Sequence, residues 1–237
     1  MLKNTQINRL ATRKIAQALG ELNEQVVYVG GAVVSLYIDD PSADDVRPTK
    51  DVDISLEIAS IGALEALRVS LIRKGFYQSV EDNVLCRFRY EDIKVDEMST
   101  EPVGWAPANR WFAHGFQHRL PRQLDEMTIH ILPLPYFLAS KLEAFYDRGK
   151  TDPRTSHDFE DIVYLLNYTS DFKSQIQASK DELKQYLIER FTDILTDMAK
   201  QEAILGCLYH EDQSLRFNKI INLLNEIIAW PSPSSTA

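Results

Sequence analysis

The chain has 237 residues, 44% of them hydrophobic, enough for one large domain or two small ones with a packed core. Its 35 acidic residues outnumber 26 basic ones, and the formal charge of −9 excludes a general electrostatic grip on DNA or RNA, which needs clustered Lys and Arg. No apolar run reaches transmembrane length, and the region around Lys3, Arg9, Arg13 and Lys14 lacks the apolar core of a signal peptide, so the expected compartment is the cytoplasm, with no membrane partner.

In chain order, Ile7, Leu10, Ile15, Ala18 and Leu19 have helical spacing and end at Gly20, which predicts an opening helix. Val26 to Val29 is a short apolar run closed by Gly30 and Gly31, and Ala32 to Ile38 resumes a helical pattern, so the segment reads as strand, tight turn, helix. Asp39 to Arg47, with Asp39, Asp40, Asp44, Asp45 and Pro41, reads as an exposed loop or insertion. Pro48 biases Arg47 toward extended backbone and leads into a strand from about Asp51 to Glu57. Residues 60 to 74 form an amphipathic helix ending at Gly75, and Val84 to Tyr90 with Ile93 to Met98 form a hairpin about Glu91 and Asp92. Met127 to Leu132 is a last strand.

From Pro133 onward the pattern is helical: Leu138 to Arg148, His157 to Asn167, and most of Phe172 to Trp230. The expected organisation is therefore α/β: a domain over residues 1–132 with a small mixed sheet, a helical domain over 133–230, and a disordered Ser- and Pro-rich tail over 231–237. Cys86 and Cys207 are far apart and without metal-ligand spacing, and read as reduced buried thiols.

Asp51 and Asp53 stand two apart on a strand, so both side chains point to one face, with Cα atoms about 6 to 7 Å apart at about 3.3 Å rise per residue. Carboxylates so placed can share the oxygen coordination of hard cations, and magnesium suits them because it accepts oxygen donors and completes its shell with water and phosphate oxygens. A pair of such ions can activate an attacking hydroxyl and stabilise a leaving pyrophosphate. Asp96 supplies a third carboxylate on a later strand. Its neighbour Glu97 must face the other way by strand alternation, so Asp96 is the candidate to ligate the catalytic metal and accept the acceptor hydroxyl's proton. Gly30 and Gly31 remove side chains where backbone amides can meet phosphate oxygens, and the helix they open would aim its positive end at the same anion.

Gly30 Gly31, then Asp51 Val52 Asp53, then Asp96 resembles the polymerase-beta-like nucleotidyltransferase superfamily, with the acidic loop Asp39 to Asp45 lengthening the usual gap. Gly31 stands where many members have Ser, which leaves a phosphate contact to backbone alone. The resemblance extends to the AbiEii/AbiGii-type branch over roughly residues 25 to 167. It is carried by Arg47 to Asp53, by Val95 to Thr100 with Asn109 to Trp111, and by Ala139 to Phe145, Arg148 to Lys150 and Ser156 to Ile162. It implies that Lys141 contacts the nucleotide phosphates and that Asp158 helps organise the site, against the plainer readings of a solvated helix face for Lys141 and a helix-start charge for Asp158, and it suggests a toxin restrained by an antitoxin. Asp161 reads as structural.

Between Trp105 and Gln123 there is no Asp or Glu, while Arg110, His114, His118, Arg119 and Arg122 alternate with Trp105, Trp111, Phe112 and Phe116. This stretch suits either a nucleobase or RNA end, held by stacking and Arg pairing, or plain packing between the two halves. His114 and His118 have helical metal-ligand spacing, but Gly115 stands where a zinc protease needs its glutamate.

The expected function is transfer of NMP from an NTP, such as ATP, to an acceptor hydroxyl on tRNA, protein or a small molecule. Asp51, Asp53 and Asp96 hold two magnesium ions, Gly30 and Gly31 cradle the triphosphate, Lys141 neutralises it, and the helical half closes over the cleft. The alternative is an inactive nucleotide- or partner-binding module of the same fold.

Overall fold

The computed structural model describes residues 2–104, 106–147 and 152–230. Trp105, Arg148 to Lys150 and the tail 231–237 lie outside the described residues. The chain separates into two compact units, Met1–Tyr37 with Asp44–Ser140, and Ile38–Ala43 with Lys141–Ala237.

In the first unit Val27–Val29 (β1), Asp51–Leu56 (β2), Arg87–Tyr90 (β3), Ile93–Ser99 (β4), Leu120–Leu124 (β5) and Met127–Ile131 (β6) form one six-stranded sheet in the order β3-β4-β2-β1-β6-β5. The sheet is mixed: β1 runs antiparallel to β2 and parallel to β6, while β2 runs parallel to β4. Alternation sorts each central strand into two faces. Val52, Ile54, Val95, Phe88 and Tyr28 are buried on one, and Asp51, Asp53 and Asp96 project from the other.

The opening helix spans Lys3–Leu19 (α1) and buries Ile15, Ala16 and Leu19. Leu2 provides no side-chain cap; Asp45 does so from forty residues away, accepting from Asn4 N at 2.7 Å and from Thr5 N and Oγ1 at 2.8 Å. The acidic loop is thus anchored, and it is divided between the two units. In the second unit, Asp39 accepts from Ser170 N at 2.8 Å, and the amides of Asp39 and Asp40 donate to Tyr168 O.

Three expectations are corrected. The pattern at Ala32 to Ile38 forms only a six-residue 3-10 helix, Gly31–Leu36, because adjacent β-branched Val33 and Val34 disfavour an α-helix. It is too short to aim a sustained helix dipole at an anion. A strand, β5, appears where only the basic aromatic stretch was read; Pro121 is tolerated there because β5 is an edge of the sheet, where a missing N–H breaks no ladder. Cys86 is buried as expected, but Cys207, at the C-terminal end of a helix, is exposed; both are free thiols.

Ile61–Arg73 (α2) is capped by Ser60 and followed by Gly75 at φ 91°. Arg110–Phe116 (α3), capped by Asn109, buries Trp111, Phe112 and Phe116. Leu134–Asp147 (α4) is cut by the unit boundary after Ser140. The helical unit continues with His157–Tyr168 (α5), Phe172–Gln177 (α6), Asp181–Thr196 (α7), Met198–Gly206 (α8) and Gln213–Ile228 (α9). Phe159, Leu165, Phe172, Leu187, Phe191, Ile204, Ile220 and Leu224 are buried in it.

Candidate active site

The parallel pairing of β2 with β4 places Asp53 directly beside Asp96, and Asp51 beside Lys94. Residues in register on neighbouring parallel strands share a face, so the three aspartates occupy one surface of the sheet. Glu97 pairs with Ile54 on the opposite, apolar face, where burial pushes its carboxyl up to about 7.

β1 ends beside this surface, with Val29 opposite Asp53 and Gly30 following at φ 73°. A Cβ on Gly30 would overlap Asp53 Oδ2 and lie 2.8 Å from Asp53 Cβ, so glycine is required by the close approach of the carboxylate as well as by the backbone. A Cβ on Gly31 would collide with the Arg47 guanidinium, 3.0 Å from its Cζ. The space cleared by the glycine pair is therefore lined by Asp53 and Arg47, an acid and a base side by side with the turn. Sequence reasoning read Arg47 only as part of a motif; its placement two elements away in the fold gave no local signal.

The largest departure from expectation is Arg87. Its Nε donates to Asp96 Oδ1 and its Nη2 to Asp96 Oδ2, both at 2.6 Å, and Nη2 reaches Asp51 Oδ2 at 3.3 Å. This is a bidentate fork extended to a second carboxylate. The Asp96 hydrogen bonds hold the Arg87 pKa above its ordinary value. Thr49 Oγ1 donates to Asp51 Oδ1 at 2.8 Å, so both Asp51 oxygens are engaged. A signal for Arg87 lay in the sequence: a hairpin with Glu91 and Asp92 as its two-residue loop pairs residue 90 with 93 and hence 87 with 96.

These contacts decide how far the site suits magnesium. Three carboxylates on one face are the hard oxygen donors that ion requires. Among the described residues, however, no group of three or more His, Cys, Asp or Glu side chains converges as a metal cluster. Asp51 and Asp53, alternate on β2 and both part-exposed, are the residues that would hold a divalent cation; Arg87 engages Asp96 through both oxygens and Asp51 through one.

Lys141 and Asp158 lie in the other unit. Lys141 Nζ is 2.8 Å from Asp161 Oδ2 and 3.3 Å from Asp158 Oδ1, and all three residues are buried. Ser156 caps α5 by accepting from Phe159 N, and Asp158 lies in that helix's first turn. Asp161, read as structural, is the nearer partner of Lys141. The spacing of Asp158 and Asp161, i and i+3 on one helix face, was the available signal.

In the basic aromatic stretch the rings of Trp111, Phe112 and Phe116 are buried, and Arg110 and Arg119 stack on Trp111 and Phe116 at 4.6 and 4.9 Å. These rings serve packing rather than open stacking of a base; Trp105 lies outside the described residues.

The family model for the AbiEii nucleotidyl transferase toxin of type IV toxin–antitoxin systems matches residues 15–223. A nucleotidyltransferase-like antigenic protein from Paracoccidioides brasiliensis is similar in structure at 15% identity and a TM-score of 0.48, over 84% of this chain and 92% of its own. The protein JHP933 from Helicobacter pylori is similar at 13% identity and a TM-score of 0.49, over 94% of this chain and 91% of its own. No curated protein sequence matches the chain.

Proposed function

Because the chain belongs to the AbiEii nucleotidyl transferase toxin family of type IV toxin–antitoxin systems, we propose that it transfers NMP from an NTP to an acceptor hydroxyl on tRNA, protein or a small molecule. The observation that carries this reading is the register of Asp53 with Asp96, with Asp51 on the same face and the Gly30 turn against Asp53. The acceptor oxygen forms a bond to the α-phosphorus while the bond to the bridging oxygen breaks and pyrophosphate leaves.

Asp51, Asp53 and Asp96 are the residues that would hold magnesium, which when bound would supply charge neutralisation of the polyphosphate and a lower pKa for the attacking hydroxyl. Asp96 is the candidate to take the hydroxyl's proton. Gly30 and Gly31 present backbone to the triphosphate, with Arg47 beside them as a further cation. Lys141, oriented by Asp158 and Asp161, is the candidate phosphate contact of the helical unit. No helix among the described residues is long and apolar enough to cross a membrane. The family's description implies an antitoxin partner.

Arg87, a cation already set between two of the three carboxylates, favours a second reading: a nucleotide- or partner-binding module without turnover. One experiment separates them. The purified chain is incubated with each α-labelled NTP, magnesium, and tRNA, protein and small-molecule pools. Label transfer that disappears in Asp53→Ala supports the first reading; nucleotide binding without any transfer supports the second. Undiminished transfer by a folded Asp53→Ala variant overturns the site assignment.

A further inference from the structure

Arg87 carries an inference that rests on the metal-site reading above and goes beyond it. The guanidinium touches both Asp96 oxygens and one of Asp51, its side chain is only 17% exposed, and it projects from β3 directly opposite Asp96. Two acids and one arginine leave this corner of the site one charge short of neutral. Two neighbouring cations of β3 and β4 are paired elsewhere: Arg89 donates to Asp82 at 2.7 Å, and Lys94 lies 3.7 Å from the same carboxylate; Arg47 lies at the Gly31 turn. Arg87 is therefore the one of the three basic side chains of β3 and β4 aimed at the aspartate set.

We propose that Arg87 is a positioning residue that occupies a cation's place between Asp51 and Asp96, so that a divalent ion first meets only the Asp51 and Asp53 pair, and Asp96 becomes a ligand only when Arg87 gives way. A guanidinium and a metal ion compete for the same oxygens, because both neutralise the same charge at hydrogen-bond or ligand distance. The polyphosphate of an incoming NTP is the natural group to draw Arg87 off Asp96, since a planar fork that fits a carboxylate also fits a phosphate. Nucleotide and the full metal complement would then arrive together.

The test is Mn2+ binding by the nucleotide-free full chain, followed by titration calorimetry, with circular dichroism to establish folding. Arg87→Gln should bind Mn2+ about tenfold tighter than the unmodified chain, because a charge is removed and three carboxylate oxygens, two of Asp96 and one of Asp51, are released. Lys94→Gln removes the same charge from the same face without releasing Asp96, and should change the affinity by less than about threefold. Arg87→Lys keeps the charge but loses the fork and should fall between the two. It serves as the test if Arg87→Gln does not fold. Equal affinity in the unmodified chain and the Arg87 variants, abolished in both by Asp53→Ala, overturns the role of Arg87 while the metal site stands. Absence of Mn2+ binding in the unmodified chain and the Arg87 variants alike overturns the metal site itself, and the role of Arg87 with it.

Discussion

The carboxylate of Asp53 fills the space that a side chain at Gly30 would need: a Cβ on Gly30 would overlap Asp53 Oδ2. Gly30 directly follows β1, whose last residue Val29 pairs with Asp53 on the antiparallel β2, so the approach is set by sheet register. Gly30→Ala should therefore act in two ways. A non-glycine residue at φ 73°, ψ −166°, a region essentially restricted to glycine, costs about 1 to 3 kcal/mol, and overpacking adds about 1 to 3 kcal/mol. Urea unfolding of Gly30→Ala, Asp53→Gly and the double variant should show coupling, with Asp53→Gly relieving the overpacking in the Gly30→Ala background. Strict additivity would mean that the two side chains do not meet.

Asp45 caps a helix to which it is not local. Asp45→Ala removes the acceptor for two backbone amides and one hydroxyl at the start of α1, and should lower stability by about 1 to 2 kcal/mol, read as a fall in urea midpoint at unchanged m. Asp45→Asn, which keeps one acceptor oxygen, should recover part of the loss. An unchanged midpoint for Asp45→Ala would show that the cap is dispensable.

Glu97 makes stability fall with rising pH. Neither of its carboxylate oxygens has a hydrogen-bond partner among the described residues, and burial raises its pKa from 4.5 to about 7. Below about pH 4.5 the group is protonated both folded and unfolded and contributes no penalty. Between that point and about pH 7 the unfolded chain ionises first, so folding stability declines. Above about pH 7 the full penalty, on the order of 3 kcal/mol, is present. Glu97→Gln should therefore match the unmodified chain near pH 4.5 and exceed it at about pH 8, with thermal unfolding as the measurement. A stability advantage of Glu97→Gln over the unmodified chain that does not grow between about pH 4.5 and pH 8 would refute the assignment.

The Lys141 cluster is as much a matter of folding as of chemistry. Lys141→Met leaves Asp158 and Asp161 without the buried ammonium that sits 3.3 and 2.8 Å from them. Breaking a buried ion pair from one side costs about 3 to 5 kcal/mol. Loss of transfer by Lys141→Met should therefore accompany a lower unfolding midpoint. If Lys141 also contacts phosphate, nucleotide affinity measured on the folded fraction should fall as well. A Lys141→Met chain as stable as the unmodified one would show that the cluster contributes nothing to the fold.

Much of the site's outline is legible in sequence because strand geometry has period two. Asp51 and Asp53 must share a face, and Asp96 and Glu97 must not, whatever the rest of the fold does. Pro48 and the Glu91–Asp92 turn locate the strands that carry them, and the hairpin arithmetic that pairs 87 with 96 was equally available. Edge strand β5 was hidden by Pro121 and Arg122, since an edge strand with one ladder partner needs neither a continuous apolar run nor a full set of amides.

The residues along the chain by themselves determined which side chains can share a surface, because alternation and helical period are local properties of the backbone. Tertiary structure decided what those side chains meet. The parallel pairing of β2 with β4, separated by α2 and β3, set Asp53 beside Asp96; the fold brought Arg47 to Gly31, Arg87 to Asp51, and Asp45 to the start of α1. Such contacts depend on sheet order and loop path, which no local period encodes. The charge balance of the candidate site is therefore a property of the folded chain and not of its motifs.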